Sequence, residues 1–172
     1  MFLNYIKEIT LKKILKNRLQ EVQNSNSLTT IKSVGLLVDE SYFLKKSELI
    51  ANLVLLGFKK ENISVLVFKD KINANDVFSF PTFNNKHINI SGNFTEKLVV
   101  DFTEQKFDLL INYYNLEIPT LLLVTHKSKA DFKVGFSDID KKLNHFSINT
   151  EIDDYKIFAL ELFKYLKILK KI

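Results

Sequence analysis

Short runs of consecutive apolar residues alternate along the chain with longer segments in which apolar residues recur every three or four positions. The short runs lie at residues 33–39, 63–68, 107–112 and 132–136. Such runs are typical of strands that are buried on both faces, as in parallel sheets. HFSI, at residues 145–148, is a weaker candidate for a fifth strand.

The longer segments have the periodicity of amphipathic helices. We predict helices at residues 2–22, 44–56, 95–105, 118–127 and 153–170. Gly57 stands where a left-handed C-terminal cap is expected, and Pro119 suits the first turn of a helix. The alternation of strands and helices predicts a single three-layer, Rossmann-like α/β sandwich with a mainly parallel sheet, plus amphipathic helices at the N and C termini.

The middle of the chain, residues 69–94, has no clear period. VFSF and HINIS alternate weakly, and we predict two short edge strands there, interrupted by Pro81. For domain organisation we predict a basic amphipathic helix at residues 1–23 and one α/β domain at residues 24–172. The segment NSNSLTT joins them.

The amino-acid composition indicates in which cellular compartment the protein is expected. The 172 residues include no cysteine, which excludes disulfides, thiolate metal sites and cysteine nucleophiles and favours a cytoplasmic location. No apolar run approaches the roughly 20 residues that a membrane-spanning helix needs. We therefore expect a cytoplasmic protein that is not integral to a membrane.

The positive charge is concentrated near the N terminus. The formal net charge is +5, and residues 1–23 contribute five basic and two acidic side chains, a net of +3. Only one of the 25 basic residues is arginine, which argues against a nucleic-acid partner because arginine makes the bidentate contacts to phosphate and guanine. Contact of the basic helix with a membrane surface stays open.

Polar residues that follow the predicted strands are the candidates for ligand contacts, because ligands bind outside the carboxyl ends of parallel strands. Asp39 follows the first strand, Asp70 the second, and Asn112 to Asn115 the third. The corner NYYN is either part of a site or only a turn. The candidate ligand-binding residues are Asp39, Asn112, Tyr113, Asp138 and His145.

Several catalytic and cofactor motifs are missing from the sequence. The four glycines never fall into the GxGxxG or GxxxxGK[ST] spacing that cradles phosphates. The three histidines are too far apart in sequence for a helical zinc pair, and no GxSxG elbow occurs. We therefore assign no catalytic residue, no metal and no cofactor.

SVGLLVDESYF, LLGFKKENISVLVFKDK, FPTF and the ending LFKYLKILKKI resemble a domain-of-unknown-function family of flavobacterium-like Bacteroidetes over nearly the whole chain. In addition, FDLLINYY with KADFKVGF is similar to a strand, helix and strand in the N-terminal half of heptosyltransferase-type glycosyltransferases. The second resemblance implies a trimmed domain without the half that holds the sugar nucleotide.

Three functions are compatible with these observations. The leading interpretation is a non-catalytic cytoplasmic α/β domain that binds a partner protein, a second copy of itself or a small ligand, in a regulatory or scaffolding role. The alternative is a small enzyme of glycosyltransferase-like ancestry, with its site at the carboxyl ends of the strands. The second alternative is a peripheral membrane or ribosome-associated factor that uses the basic N-terminal helix.

Overall fold

The computed structural model describes residues 2–18, 30–73 and 75–172, with side chains in the first helix described for residues 7–16. The α-helices in these ranges are α1 (Phe2–Arg18), α2 (Lys46–Leu56), α3 (Lys97–Glu104), α4 (Pro119–Lys127) and α5 (Tyr155–Ile168). The strands are β1 (Val34–Asp39), β2 (Ile63–Phe68), β3 (Thr82–Phe83), β4 (Leu109–Tyr113), β5 (Phe132–Phe136) and β6 (Phe146–Ile148). The rest of the predicted first helix, residues 19–22, lies outside the described residues, as does nearly all of NSNSLTT.

The strands form one six-stranded sheet in the order β3-β2-β1-β4-β5-β6, and each neighbouring pair is parallel. Leu36 of β1 pairs with Val65 of β2 on one side and with Ile111 of β4 on the other. This order is that of the doubly wound Rossmann sheet. The prediction of an α/β, Rossmann-like sandwich is therefore confirmed.

Helices cover both faces of the sheet. Side chains of successive strand residues point to opposite faces, so Leu36 and Val38 enter one buried cluster and Leu37 enters the other. The first cluster includes side chains of α2 and α5, and the second includes side chains of α1, α3 and α4. In α1, Leu11 and Leu15 are buried in this second cluster, so the described part of the helix packs on the domain.

The predicted edge strands in the middle of the chain were wrong. VFSF is not a strand, and Val77 in it is 96% exposed. The edge strand is instead β3, where the Phe83 ring packs edge-on against that of Phe68 at 5.4 Å. HINIS forms only one antiparallel bridge, between Ile88 and Phe94. Weak alternation in the sequence cannot identify the strand that pairs with β2, because this pairing depends on the burial of Phe83 against Phe68.

The connection from β5 to β6 contains no helix. Residues 137–145 return across the sheet as a loop that buries Ile139, Leu143 and Asn144. The side-chain amide of Asn144 lies against Gly135, where an added Cβ would be 2.6 Å from Nδ2. The loop therefore packs on the sheet in the place that a crossover helix usually takes. Because Gly135 has no side chain, it leaves space for Asn144 of this loop.

Candidate functional site

The direction in which the chain crosses the sheet reverses between β1 and β4. From β1 the chain continues through β2 to β3, and from β4 it continues the opposite way through β5 to β6. In open α/β sheets, ligands bind outside the carboxyl ends of the strands at such a reversal. The fold therefore places a candidate site at the carboxyl ends of β1 and β4.

A cavity of about 570 Å³ lies at this edge of the sheet. Its volume is within the range of small-molecule binding sites. Segments that follow β1, β2, β3 and β4 contribute to its wall, together with one side of α1. The lining residues are Lys7, Glu8, Leu11, Tyr42, Phe68, Asp70, Lys71, Asn84, Asn85, Lys86, Glu117, Ile118, Pro119 and Thr120.

Hydrogen bonds connect four segments around the cavity. The Thr120 hydroxyl donates to the Asn85 side-chain oxygen at 2.6 Å, and the Asn85 amide donates to the Asp70 carboxylate at 3.1 Å. The backbone N–H of Asp70 donates to the Ser41 hydroxyl at 3.0 Å. The wall is thus held by side chains that lie far apart in sequence, which gives the cavity a defined shape.

The first turn of α4 borders the cavity. Its N-cap residue, Ile118, has no side chain that can accept a hydrogen bond from the helix start, and Pro119 occupies the first turn. The start of a helix carries a partial positive charge and backbone donors without helical partners. Lys71 and Lys86 line the same cavity, so these groups together favour a negatively charged group on a ligand.

Negative charges balance these donors around the cavity. The lining includes three lysines, Lys7, Lys71 and Lys86, and three carboxylates, Glu8, Asp70 and Glu117. A purely anionic ligand would be attracted by the first set and repelled by the second. The lining therefore suits a molecule that carries charges of both signs.

Lys7 attaches α1 to the opposite wall. Its ammonium group donates to the backbone carbonyl of Asn85, and burial lowers the pKa of Lys7. Leu11, one turn further along the helix, is buried and also lines the cavity. α1 therefore covers one side of the cavity.

A second group of polar side chains is buried between β4, β5 and α4. Lys133 of β5 is 7% exposed, and its ammonium group donates to the Thr125 carbonyl at 2.7 Å. Burial lowers the pKa of Lys133 to about 8. The Thr125 hydroxyl donates to the Asn112 side-chain oxygen at 2.9 Å and lies 2.6 Å from the Tyr114 hydroxyl. This buried polar cluster connects the sheet to α4.

The family comparison covers nearly all of these elements. A model of the Family of unknown function (DUF6913) matches residues 7–169. The chain belongs to this family. Since the match starts at Lys7 and ends at Leu169, the DUF6913 unit includes both the part of α1 that covers the cavity and all of α5. No curated protein and no solved structure matches the chain.

In this DUF6913 chain, all five residues predicted from the sequence are described, and none of them lines the cavity. Asp39 ends β1, three residues before Tyr42, which lines the cavity. It is buried, and its carboxylate accepts a hydrogen bond from the Ser41 N–H at 2.9 Å. Burial raises the pKa of Asp39. Its observed contact stabilises the turn after β1.

The NYYN corner uses its polar groups inside the DUF6913 fold. Asn112 faces the buried polar cluster, where its amide donates to the Asn144 side-chain oxygen at 2.8 Å. Tyr113 faces the opposite side of the sheet, where its ring packs against Phe136 and its hydroxyl donates to the Ile152 carbonyl at 2.6 Å. Burial raises the pKa of Tyr113 well above its usual value. The observed contacts of this corner are those of a packed strand end.

Neither Asp138 nor His145 lines the cavity. Asp138 is exposed in the loop after β5. His145 stacks on the Phe132 ring at 5.2 Å, and its Nδ1 accepts a hydrogen bond from the Lys133 backbone N–H at 2.9 Å. The structure therefore does not bring the five predicted residues together into one site.

The cavity wall contains residues that the sequence reasoning missed. Asn84 to Lys86 follow β3, whose position was itself mispredicted, and no residue of the predicted N-terminal helix was among the candidate site residues. Asp70 follows the second strand and was predicted to lie at the ligand-binding edge, and it does line the cavity. Pro119 was recognised as a helix start, and this signal could have drawn attention to the first turn of α4.

Two further findings concern metals and membranes. Within residues 2–18, 30–73 and 75–172, no group of three or more histidine or acidic side chains is placed to hold a metal ion. No helix in these same ranges is both long and apolar enough to cross a membrane.

Proposed function

We propose that this chain is a non-catalytic, cytoplasmic domain that binds a small zwitterionic molecule, such as an amino acid or a short peptide, in the cavity at the carboxyl ends of β1 and β4. The observation that carries the proposal is the cavity lining of three lysines and three carboxylates. The ligand's carboxylate lies towards the first turn of α4 and Lys86. Its ammonium group lies towards Asp70 and Glu117.

The position of α1 supports a regulatory role for this binding. α1 covers the cavity through Leu11 and through the hydrogen bond from Lys7 to Asn85. A ligand in the cavity contacts both α1 and the strand ends, and it stabilises their association by a free energy that rises with the logarithm of ligand concentration over Kd. Ligand occupancy is thereby transmitted to the position of α1, which a partner protein can recognise.

Isothermal titration with a panel of amino acids and short peptides tests this function. We expect zwitterions to bind, and their N-acetylated, C-amidated counterparts to bind at least about tenfold more weakly, because each lost charge-assisted hydrogen bond costs about 1.5–3 kcal/mol. Lys86→Glu should weaken zwitterion binding by a similar factor. Lys60→Glu is the matched control, because Lys60 is an exposed lysine that precedes β2, at the opposite end of the strands from the cavity.

Equal binding of the neutral and zwitterionic forms would contradict the proposal. So would an affinity that Lys86→Glu and Lys60→Glu change to the same extent. If no zwitterion in the panel bound, zwitterions would be excluded as the class of ligand.

A further inference from the structure

The outward face of α5 carries large apolar side chains. Ile157, Leu160 and Ile168 are 50%, 56% and 64% exposed, while Phe158 and Leu162 on the inner face are buried. A helix on the surface of a monomeric domain normally presents polar residues outward. Three exposed aliphatic side chains on one helical stripe mark an interaction surface.

The order of residues on this stripe is self-complementary. Positions three or four apart share one side of a helix, so Ile157, Glu161, Lys164 and Ile168 form a single row. If two α5 helices pack antiparallel about a twofold axis between residues 162 and 163, each Ile157 lies opposite Ile168 of the second copy. In the same arrangement, each Glu161 lies opposite Lys164 of the second copy.

The charges at the two ends of α5 favour the same arrangement. Glu151, Asp153 and Asp154 precede the helix and outweigh Lys156 in its first turn, and Lys167 and Lys170 lie at its end. An antiparallel pair brings the acidic end of each helix to the basic end of the other, and it also opposes the two helix dipoles. A parallel pair would bring like charges together.

We propose that the chain forms a twofold-symmetric dimer in which the α5 helices of two copies pack antiparallel. Ile157, Leu160 and Ile168 form the apolar contact, and Glu161 and Lys164 form its charged centre. Within one helix Glu161 and Lys164 already pair at 3.1 Å, so each group acquires a second partner across the axis. Leu55 on the neighbouring helix α2 is also 83% exposed. We assign this surface to a second copy of the chain because the row of Ile157, Glu161, Lys164 and Ile168 is complementary to the same row in the reverse direction.

Light scattering coupled to size-exclusion chromatography measures the association directly. The wild-type chain should have twice the 20.0 kDa mass of one chain. Leu160→Glu should reduce the mass to that of a monomer. Val100→Glu is the matched control, because Val100 is a partly exposed aliphatic residue on α3, on the other face of the sheet. This variant should remain dimeric.

A charge exchange distinguishes pairing between copies from pairing within one helix. Glu161→Lys gives two lysines in the row and Lys164→Glu gives two glutamates, so each variant alone should be monomeric. An equimolar mixture should form a heterodimer of twice the chain mass, because every charged contact across the axis is then between opposite signs. Circular dichroism of each variant verifies that it is folded.

A monomeric wild-type chain at its highest soluble concentration would overturn the proposal. A mixture of the two folded charge variants that stays monomeric would also overturn it. This interface lies on the face opposite α1 and does not depend on ligand binding in the cavity.

Discussion

Replacing Leu109 by alanine is expected to lower the free energy of unfolding by about 2–5 kcal/mol. Leu109 is fully buried in β4, where it pairs with Val34 of β1 and Phe132 of β5. Truncation removes buried methyl groups and leaves a cavity that the central strands of a parallel sheet cannot close. Urea unfolding followed by circular dichroism, at a fixed protein concentration, measures the change.

Leu44→Ala is the matched control for this substitution. Leu44 is 77% exposed and lies before the start of α2, so its truncation should change the free energy of unfolding by no more than about 0.5 kcal/mol. If the two variants unfolded at the same urea concentration, Leu109 would not lie in the centre of the sheet.

Replacing Lys133 by methionine is expected to remove a rise in stability between pH 8 and pH 10.5. Burial lowers the pKa of Lys133 from 10.5 to about 8, so between these values the unfolded chain binds more protons than the folded chain. The free energy of unfolding therefore increases as the pH rises through this window. Below pH 8 the lysine is protonated in both states and its burial penalty is constant. The integrated effect is about 3 kcal/mol.

The measurement compares urea unfolding of the wild type, Lys133→Met and Lys60→Met at several pH values. The other ionisable groups are common to the three chains, and their effects cancel in the differences. Lys60→Met, which alters an exposed lysine, should keep the wild-type pH dependence. Parallel curves for the wild type and Lys133→Met would show that the Lys133 ammonium group is not buried.

The sequence predicted those elements whose signals are local. Continuous apolar runs identified β1, β2, β4 and β5, and the three-four spacing identified the five α-helices of the described residues. Gly57 was predicted as a left-handed cap, and its φ of 133° with hydrogen bonds from its N–H to Leu53 and Val54 confirms this. Such signals depend on periodicity and on the steric freedom of glycine, and both are properties of short segments.

Features that depend on contacts between distant segments could not be predicted in this way. β3 is two residues long and is defined by burial of Phe83 against β2, which no local pattern reveals. The partners Asn112 and Asn144 are 32 residues apart, and only the loop that replaces a crossover helix brings them together. The sequence shows Lys133 within the apolar run FKVGF, but it does not show that the side chain is buried. This burial depends on the packing of α4 beside β5.

The candidate site was predicted at the level of the sheet edge and not at the level of residues. The rule that ligands bind at the carboxyl ends of strands directed attention to the edge at which the cavity lies, and Asp70 there lines the cavity. Asn112 and Tyr113 also end a strand, but adjacent strand residues point to opposite faces, and both side chains are buried in the layers of the sandwich. α1 forms part of the wall through packing that its own sequence does not specify.

Ligand occupancy of the cavity is tested most directly by amide chemical shifts. The isotope-labelled chain is titrated with the tightest-binding zwitterion from the calorimetric panel, and its backbone amide resonances are followed by NMR. We predict that the largest changes occur at the first turn of α4, at Asn84 to Lys86 and at Asp70, and that Lys86→Glu needs about tenfold more ligand to reach half of the full change. Saturable shifts confined to residues away from the carboxyl ends of β1 and β4 would contradict a binding site in this cavity.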